Sequence, residues 1–352
     1  MSANPGKDLT GMRLVKSSLE PTTMDLGIER TPTDLFFVCS GCEAPTIAAN
    51  EWQLAIAGDA VAAPVTIDYT TLRALPHRRV ESWLECAGNG RAMFELAGGY
   101  PRPTAAEDTA WTLGAMGMAS WVGVSLRDVF ELAGVTDAAA WIGVEGADDD
   151  HDEGEAGAMC LPIDKALDAD TILAFSMNDA DLLPAHGYPV RLLVPGWVGA
   201  YSIKWLRRLE VSTTWVSSWR ADVYYRRRLA DGTDLGPATV HPIKSCLALK
   251  WPAELASGSQ IIRGYARCGH SPVERVEISI DSGHWFDAGL IGGRGGWDWQ
   301  PFEFEWAPTP GGHEIRSRAW AVDGATQPDT IDYHPNTILW NAVTAHPIRV
   351  SD

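Results

Sequence analysis

The sequence predicts an α+β chain: a mixed α/β domain over residues 35–234, then an all-β sandwich over 235–352, after an N-terminal arm of residues 1–34. Three observations carry this. With 352 residues, 45% hydrophobic and 21% charged, the chain can bury two cores and is not compositionally disordered. From residue 35 to about 230, short apolar runs bounded by Pro and Gly interleave with amphipathic helical pieces. Beyond Leu235–Ile243 the apolar residues alternate with period two and no helical pattern returns.

Taken in order, residues 1–34 are polar and rich in Thr and Pro, which predicts an extended arm. Leu35–Val38 and Arg191–Val194 predict strands. Ser125–Val135 predicts a helix: Ser125 caps it, Leu126, Val129, Phe130 and Leu132–Ala133 form its apolar stripe, and Gly134 ends it. The run DDDHDEGE at 148–155 reads as a solvated charged turn in preference to a metal site. Leu235–Ile243 reads as a linker. Ser259–Ala266, Val273–Ile280 and His313–Val322 then predict half-buried antiparallel strands of an immunoglobulin-like sandwich. There is no internal repeat and no low-complexity tract.

Charge narrows the function classes. Acidic residues outnumber basic ones 46 to 28, a formal charge of −18, and such a surface repels nucleic-acid backbones. No apolar run approaches the roughly 20 residues that span a bilayer. The opening residues carry no apolar signal core and no twin-arginine pair, so the expected location is cytoplasmic, or periplasmic if a leader has been removed. Six cysteines are too few for a disulfide scaffold of this length. Cys39 and Cys42 form a CxxC pair without a second pair at zinc spacing and without the His of covalent haem attachment, and inert thiols are the favoured reading. The 16 tryptophans predict mostly core, with one or two in a pocket.

Two segments carry chemistry. In SWLECAGNGR (82–91), Cys86 leaves an apolar run and enters a Gly-Asn-Gly turn whose glycines let backbone approach a ligand. A thiolate there is a soft metal ligand, although taken alone a buried structural cysteine is the better reading. In HGYPVRLLVPGWVGAYSIK (186–204), His186, Arg191, Ser202 and Lys204 surround an apolar strand, a set of charge-assisted donors suited to a phosphate.

Together these segments resemble the sulfite oxidase family of molybdenum enzymes. The family's CAGNRR appears as CAGNGR at Cys86–Arg91, and its HGxPVRxxVPG…SVKWL as HGYPVRLLVPGWVGAYSIKWL. WTLGAMGMASWVGVSL at Trp111–Leu126, the EGxD element at Glu145–Asp148, Gln327-Pro328-Asp329 and Asn341-Ala342 follow in family order, across nearly the whole chain. The resemblance implies a molybdopterin-dependent oxidoreductase with Cys86 as metal ligand. It implies that Phe37, Val38, Cys39, Ser40, Gly41, Asp148, His186, Arg191, Ser202, Ile203 and Lys204 hold the pterin and its phosphate. Arg91, Trp111 and Tyr225 fall where the family lines its substrate pocket, with Tyr225 near the metal's oxygen ligand and Tyr224 its adjacent competitor.

The departures matter as much. The family's FFxRNHxPxP reads FFVCSGCEAP, so an arginine, an asparagine and a histidine have become Cys39, Ser40 and Gly41. A second pocket arginine has become Asn336, which leaves Arg91 of three, and Trp340 replaces a small residue and is expected to reshape the rim. Arg220, Arg226, Arg227 and Arg228 could supply the lost charge, but solvated or interdomain ion pairs are the preferred reading. The expected function is oxygen-atom transfer, in either direction, on a small sulfur or nitrogen compound other than sulfite. A sulfite dehydrogenase using an external acceptor and a non-catalytic molybdopterin-binding protein are the alternatives. No haem motif is present, so electrons are expected to pass to a separate carrier. The C-terminal domain is expected to form a homodimer, with Trp285, Trp297, Trp299 and Trp306 as candidate interface aromatics.

Overall fold

A computed structural model describes residues 7–15, 18–101, 111–148, 158–293 and 295–352. Of the charged run at 148–155, only Asp148 lies among them.

The first domain is built on two five-stranded sheets. One runs in the order Val65–Asp68, Gln53–Ala57, Leu206–Ser212, Trp141–Gly146, Ala158–Pro162. The other runs Ala180–Asp181, Ile172–Met177, Met116–Ser125, His77–Glu85, with Arg191–Leu193 also paired to Ile172–Met177. The long hairpin of His77–Glu85 and Met116–Ser125 is in register from His77↔Val124 to Glu85↔Met116. Gly123 and Gly117 admit neighbours that a Cβ would block, Leu173 O and the Phe36 ring respectively. The helix Leu126–Ala133 has Ser125 accepting from Arg127 N–H and ends at Gly134 in the left-handed region. Leu126, Val129, Phe130 and Ala133 are buried, but Leu132 is exposed, because its position falls outside the i, i+3, i+4, i+7 stripe.

The second domain is a sandwich of two sheets. One has four strands: Lys244–Leu247, Gln260–Arg267, Gln300–Trp306 and Gly289–Leu290. The other has five: Ala253–Ala256, His346–Ser351, Gly311–Ala321, Val273–Ile280 and Phe286–Asp287. Ile262, Phe302 and Phe304 of the first meet Val276, Ile278, Ile315 and Ala319 of the second in one core.

Several sequence expectations change. Among the described residues, the segment before residue 35 is no free arm. Met12–Val15 and Ser18–Pro21 form a hairpin, Leu19 pairs with Val38, and the buried Glu20 carboxylate accepts from Thr112 N, Thr112 Oγ1 and Gly114 N at 2.8–3.0 Å. Leu35–Val38 forms no strand beyond that bridge, since Pro32 starts a turn in which Phe36 N–H donates to Pro32 O. The expected linker is also ordered. Asp234–Pro237 pairs with Arg226–Arg228, Ala238 N–H donates to Tyr225 O, and His241 N–H donates to Gly196 O. Of the four aromatics assigned to a dimer surface, Trp299 is buried and stacked on Tyr265 at 4.2 Å. Trp297 spans the domains, its Nε1 donating to Asp170 at 3.0 Å and its carbonyl accepting from Trp83 N–H.

The two domains are joined by buried charge. Glu85, the last residue of its strand, is 1% exposed. Its carboxylate pairs with Arg267, with Lys244 at 3.1 Å, and accepts from Asn89 Nδ2 at 3.0 Å. His241 Nε2 donates to the Glu85 carbonyl at 3.0 Å. Burial would raise the Glu85 pKa, but the charges of Arg267 and Lys244 outweigh it and hold it well below the usual carboxylate range. A depressed carboxylate stabilises the fold above its unfolded pKa of about 4.3, and that contribution is lost as pH falls toward the folded value. We expect Glu85→Gln, which strands two buried cations, to lose about 3–5 kcal/mol in denaturant unfolding near pH 7. The deficit should shrink as pH falls below about 4.3, where the carboxylate of the unfolded chain takes up a proton while the native one stays charged; a deficit that grows in acid contradicts this account.

Candidate active site

A cavity of about 260 Å³ opens at the C-terminal end of His77–Glu85. Its floor is the turn that follows. Cys86 N–H donates to Ala115 O at 3.0 Å, and Asn89 closes the turn by donating its N–H to Cys86 O at 2.9 Å. The Asn89 Oδ1 accepts from Ala115 N at 3.1 Å, so one side chain ties the turn to the neighbouring strand. Gly90 has φ +87°, and a Cβ there would lie 3.0 Å from Trp340, so the turn needs glycine on both counts. Arg91 opens the helix Arg91–Leu96 and points back under the turn. Its Nε donates to Thr337 O at 3.3 Å, and the Tyr224 hydroxyl hydrogen-bonds its guanidinium.

One wall is basic and buried. Arg191 donates to His186 O at 3.0 Å and Ser202 O at 2.8 Å, while its Nε is buried without a partner. Ser202 Oγ accepts from Val194 N at 3.0 Å, and Lys204 Nζ donates to Ala185 O at 3.3 Å. Lys7 Nζ comes within 3.3 Å of His186 Nε2. Burial lowers Lys204 and Lys7 to about 8 and Arg191 to about 9, and it drives His186 well below its usual value. At the other end Asp148 stands 3.9 Å from Arg220.

The opposite wall carries the tail of the former arm. Phe37, Val38, Cys39, Ser40 and Gly41 all line the cavity. Cys39 Sγ lies 3.8 Å from Cys86 Sγ. Their mutual hydrogen bond, with Lys204, Arg91 and Arg220 nearby, makes the first ionisation of the pair easy and holds the second thiol protonated. Trp111 packs edge-on to Phe37 at 6.4 Å. Tyr224 and Tyr225 close the remaining side with rings 4.9 Å apart, and burial raises Tyr225 well above its usual pKa.

The residues expected to bind the metal, hold the cofactor or line the pocket reach one cavity: Cys86, Arg91, Trp111, Tyr225, Phe37 to Gly41, Asp148, His186, Arg191 and Ser202, Ile203 and Lys204. Three expectations change. Arg220, read as a surface ion-pair residue, lines the cavity, because the turn Arg220–Tyr224 folds over it. Arg226, Arg227 and Arg228 instead bond Asp234, Leu235 O and Asp222 O. Trp340 does not reshape the rim; it is buried against Phe94 at 5.0 Å, behind the turn and outside the cavity lining. Asn336 also faces away from the cavity, and its Nδ2 donates to Tyr224 O at 2.7 Å and Arg226 O at 2.9 Å. Nothing in the sequence signalled that Ser18 and Trp219 line the cavity or that Lys7 is buried against His186, since a lysine in a polar N-terminal segment carries no signal of burial.

The residues fit a molybdopterin. Among the described residues no group of three or more His, Cys, Asp or Glu could hold a metal alone, so the metal must bring further ligands of its own. The orphaned Arg191 Nε and the cations around it, short of counter-charge, suit an anionic phosphate. Without an anion, Lys204 and Lys7 bind fewer protons in the fold than in the unfolded chain between about pH 8 and 10.4, so their contribution to stability rises with pH over that window. A bound phosphate stabilises their charged forms and reverses the sign. Inorganic phosphate at 100 times its Kd is expected to stabilise cofactor-free protein by about 2.7 kcal/mol at pH 7, and much less above pH 9. Thermal melts of wild type and Lys204→Ala check this; a phosphate effect indifferent to both pH and Lys204 contradicts it.

Comparison with known proteins agrees with this geometry. Residues 42–219 match the family described as the oxidoreductase molybdopterin binding domain. Sulfite oxidase of Gallus gallus is 32% identical over 333 residues, covering 88% of this chain and 70% of that protein. The mitochondrial sulfite oxidase of Mus musculus is 31% identical, covering 88% of this chain and 58% of that protein. The crystal structure of the sulfane dehydrogenase SoxCD from Paracoccus pantotrophus superposes with a TM-score of 0.84 at 26% identity, covering 97% of this chain and 88% of that one. A domain match over half the chain, joined to this level of identity across the sandwich as well, makes the chain a member of the sulfite oxidase family of molybdopterin-dependent oxidoreductases.

Proposed function

We propose that this oxidoreductase transfers an oxygen atom to a small sulfur compound of low charge, and that sulfite is a poor substrate. When bound, the molybdenum centre supplies two-electron oxygen-atom exchange with a substrate lone pair. The chain's own residues do the rest. Cys86 would hold the metal through its thiolate, and Arg191, Lys204 and His186 would hold the phosphate. Arg91, fixed by Thr337 O and Tyr224, would orient the substrate, and Tyr225 would donate a hydrogen bond at the reacting oxygen. Trp111 and Phe37 would keep water from the reacting side.

One observation carries the substrate reading. At the two positions where relatives resembled in sequence place arginines, this chain has Cys39, whose thiol lines the cavity, and Asn336, whose amide faces away from it and is spent on backbone carbonyls. A charge-assisted hydrogen bond contributes about 1.5–3 kcal/mol, so two losses weaken a small dianion by roughly two to four orders of magnitude. Sulfite has little other surface with which to recover that. The fold shared with a sulfane dehydrogenase supports a sulfur substrate. Arg220 favours a second reading, since its place in the cavity wall could restore one positive charge for sulfite itself. Electrons would leave to a separate carrier, and a formal charge of −18 suits a basic one at low salt.

Steady-state assays with ferricyanide test the proposal. Expected are stoichiometric molybdenum in the purified protein, its loss in Cys86→Ser, and weak sulfite turnover that Cys39→Arg raises by about tenfold or more in kcat/KM. Efficient turnover at micromolar sulfite by the wild type, abolished in Arg220→Ala, would establish the second reading instead. Protein that binds pterin without metal would point to a non-catalytic role.

A further inference from the structure

Cys39 places a second protein sulfur where the site presents its first. The 3.8 Å between Cys39 Sγ and Cys86 Sγ is set by two independently anchored stretches of backbone. Cys86 is held by its N–H on Ala115 O. On the other side, Val38 exchanges both backbone hydrogen bonds with Leu19, at 2.8 and 3.0 Å, and Ser40 N–H donates to Ser18 Oγ at 3.1 Å. Cys39 therefore sits between two fixed neighbours, on a segment bridged to the buried strand Ser18–Pro21.

The spacing has a chemical meaning. With metal–thiolate bonds of about 2.3 Å, two sulfurs on one metal lie roughly 3.3 Å apart at a right angle and about 3.8 Å apart at a tetrahedral angle. A disulfide would need about 2.05 Å. The observed pair falls in the span of two ligands sharing a metal. Both thiols line the cavity with Arg91, Lys204 and Arg220, whose positive charge offsets that of a second thiolate. We infer that Cys39 is a second protein ligand of the molybdenum, binding it together with Cys86. This rests on the reading of the cavity as a molybdopterin site. On binding, the Cys39 S–H bond breaks, a sulfur–metal bond forms and the proton passes to solvent, with no change of oxidation state. Added thiolate softens the metal and fills a position otherwise open to an oxygen ligand, which favours thiophilic substrates.

X-ray absorption at the molybdenum edge of the purified holoprotein tests this. The pterin dithiolene and Cys86 alone give a sulfur count of about three; with Cys39 the count is about four. The wild type is expected to show about four, and Cys39→Ser and Cys39→Ala about three. Alkylation followed by mass spectrometry should find Cys39 protected in holoprotein and labelled once the cofactor is removed. A wild-type count of about three overturns the inference and leaves the cofactor reading intact, whereas a Cys39–Cys86 disulfide in the holoprotein overturns it together with the assignment of Cys86 as metal ligand. Protein isolated without molybdenum overturns both. The wild-type count decides the matter even if neither variant folds.

Discussion

The buried carboxylate of Glu85 is the interaction on which the site depends. It ends the strand that delivers Cys86, and its partners Arg267 and Lys244 belong to the sandwich domain. Removing these charges from water is costly and is offset only where every partner is in place. Glu85 meets that demand with Arg267, Lys244 and Asn89 on its two oxygens, and with His241 on its carbonyl. Asn89 then carries the restraint into the turn by bonding Leu113 O and Ala115 N. The domain interface and the thiol at the cavity floor are thus one hydrogen-bonded unit, and the second domain acts as a brace for the first.

The cavity inverts that economy of charge. Arg191, Lys204, His186 and Lys7 are gathered with few acidic groups to balance them, so burial lowers the proton affinity of each. Such an arrangement is a poor way to stabilise a fold and a good way to bind an anion, because the anion recovers energy that folding left unspent. Hydrogen bonds from Arg191 to His186 O and Ser202 O fix the guanidinium before any ligand arrives, which lowers the entropy lost on binding. The side of the cavity around Arg91 is organised differently. Asn336 and Thr337 reach in from the far end of the chain, one bonding the backbone beside Tyr224 and the other accepting from Arg91. Their loop sets the orientation of the guanidinium without offering a charge of its own.

Local patterns made much of this legible. The period-two strands of the sandwich, the capped helix ending at Gly134 and the two chemistry-bearing segments were readable because their signals are short-range: alternation, capping and glycine placement act within a few residues. The family-like motifs extended that reading to every member of the cavity wall they name. Reading failed where burial is decided by distant partners. Residues 7–34 look like a polar arm, yet Glu20 is satisfied by Thr112 and Gly114, and Lys7 by Thr33 O and the His186 side chain. Trp340 and Arg220 exchanged expected places for the same reason: one packs behind Gly90 and the other turns over the cavity.

By itself, then, the sequence determined the two-domain α+β class, the Cys86 turn and the basic wall, since each is written in neighbouring residues. Only the tertiary structure decided that Glu85 locks the domains together, that Asn336 bonds backbone carbonyls away from the cavity, and that Cys39 meets Cys86. Those contacts join positions 47 to 182 residues apart. Separations of that kind are closed by the packing of whole sheets, and no local preference encodes them.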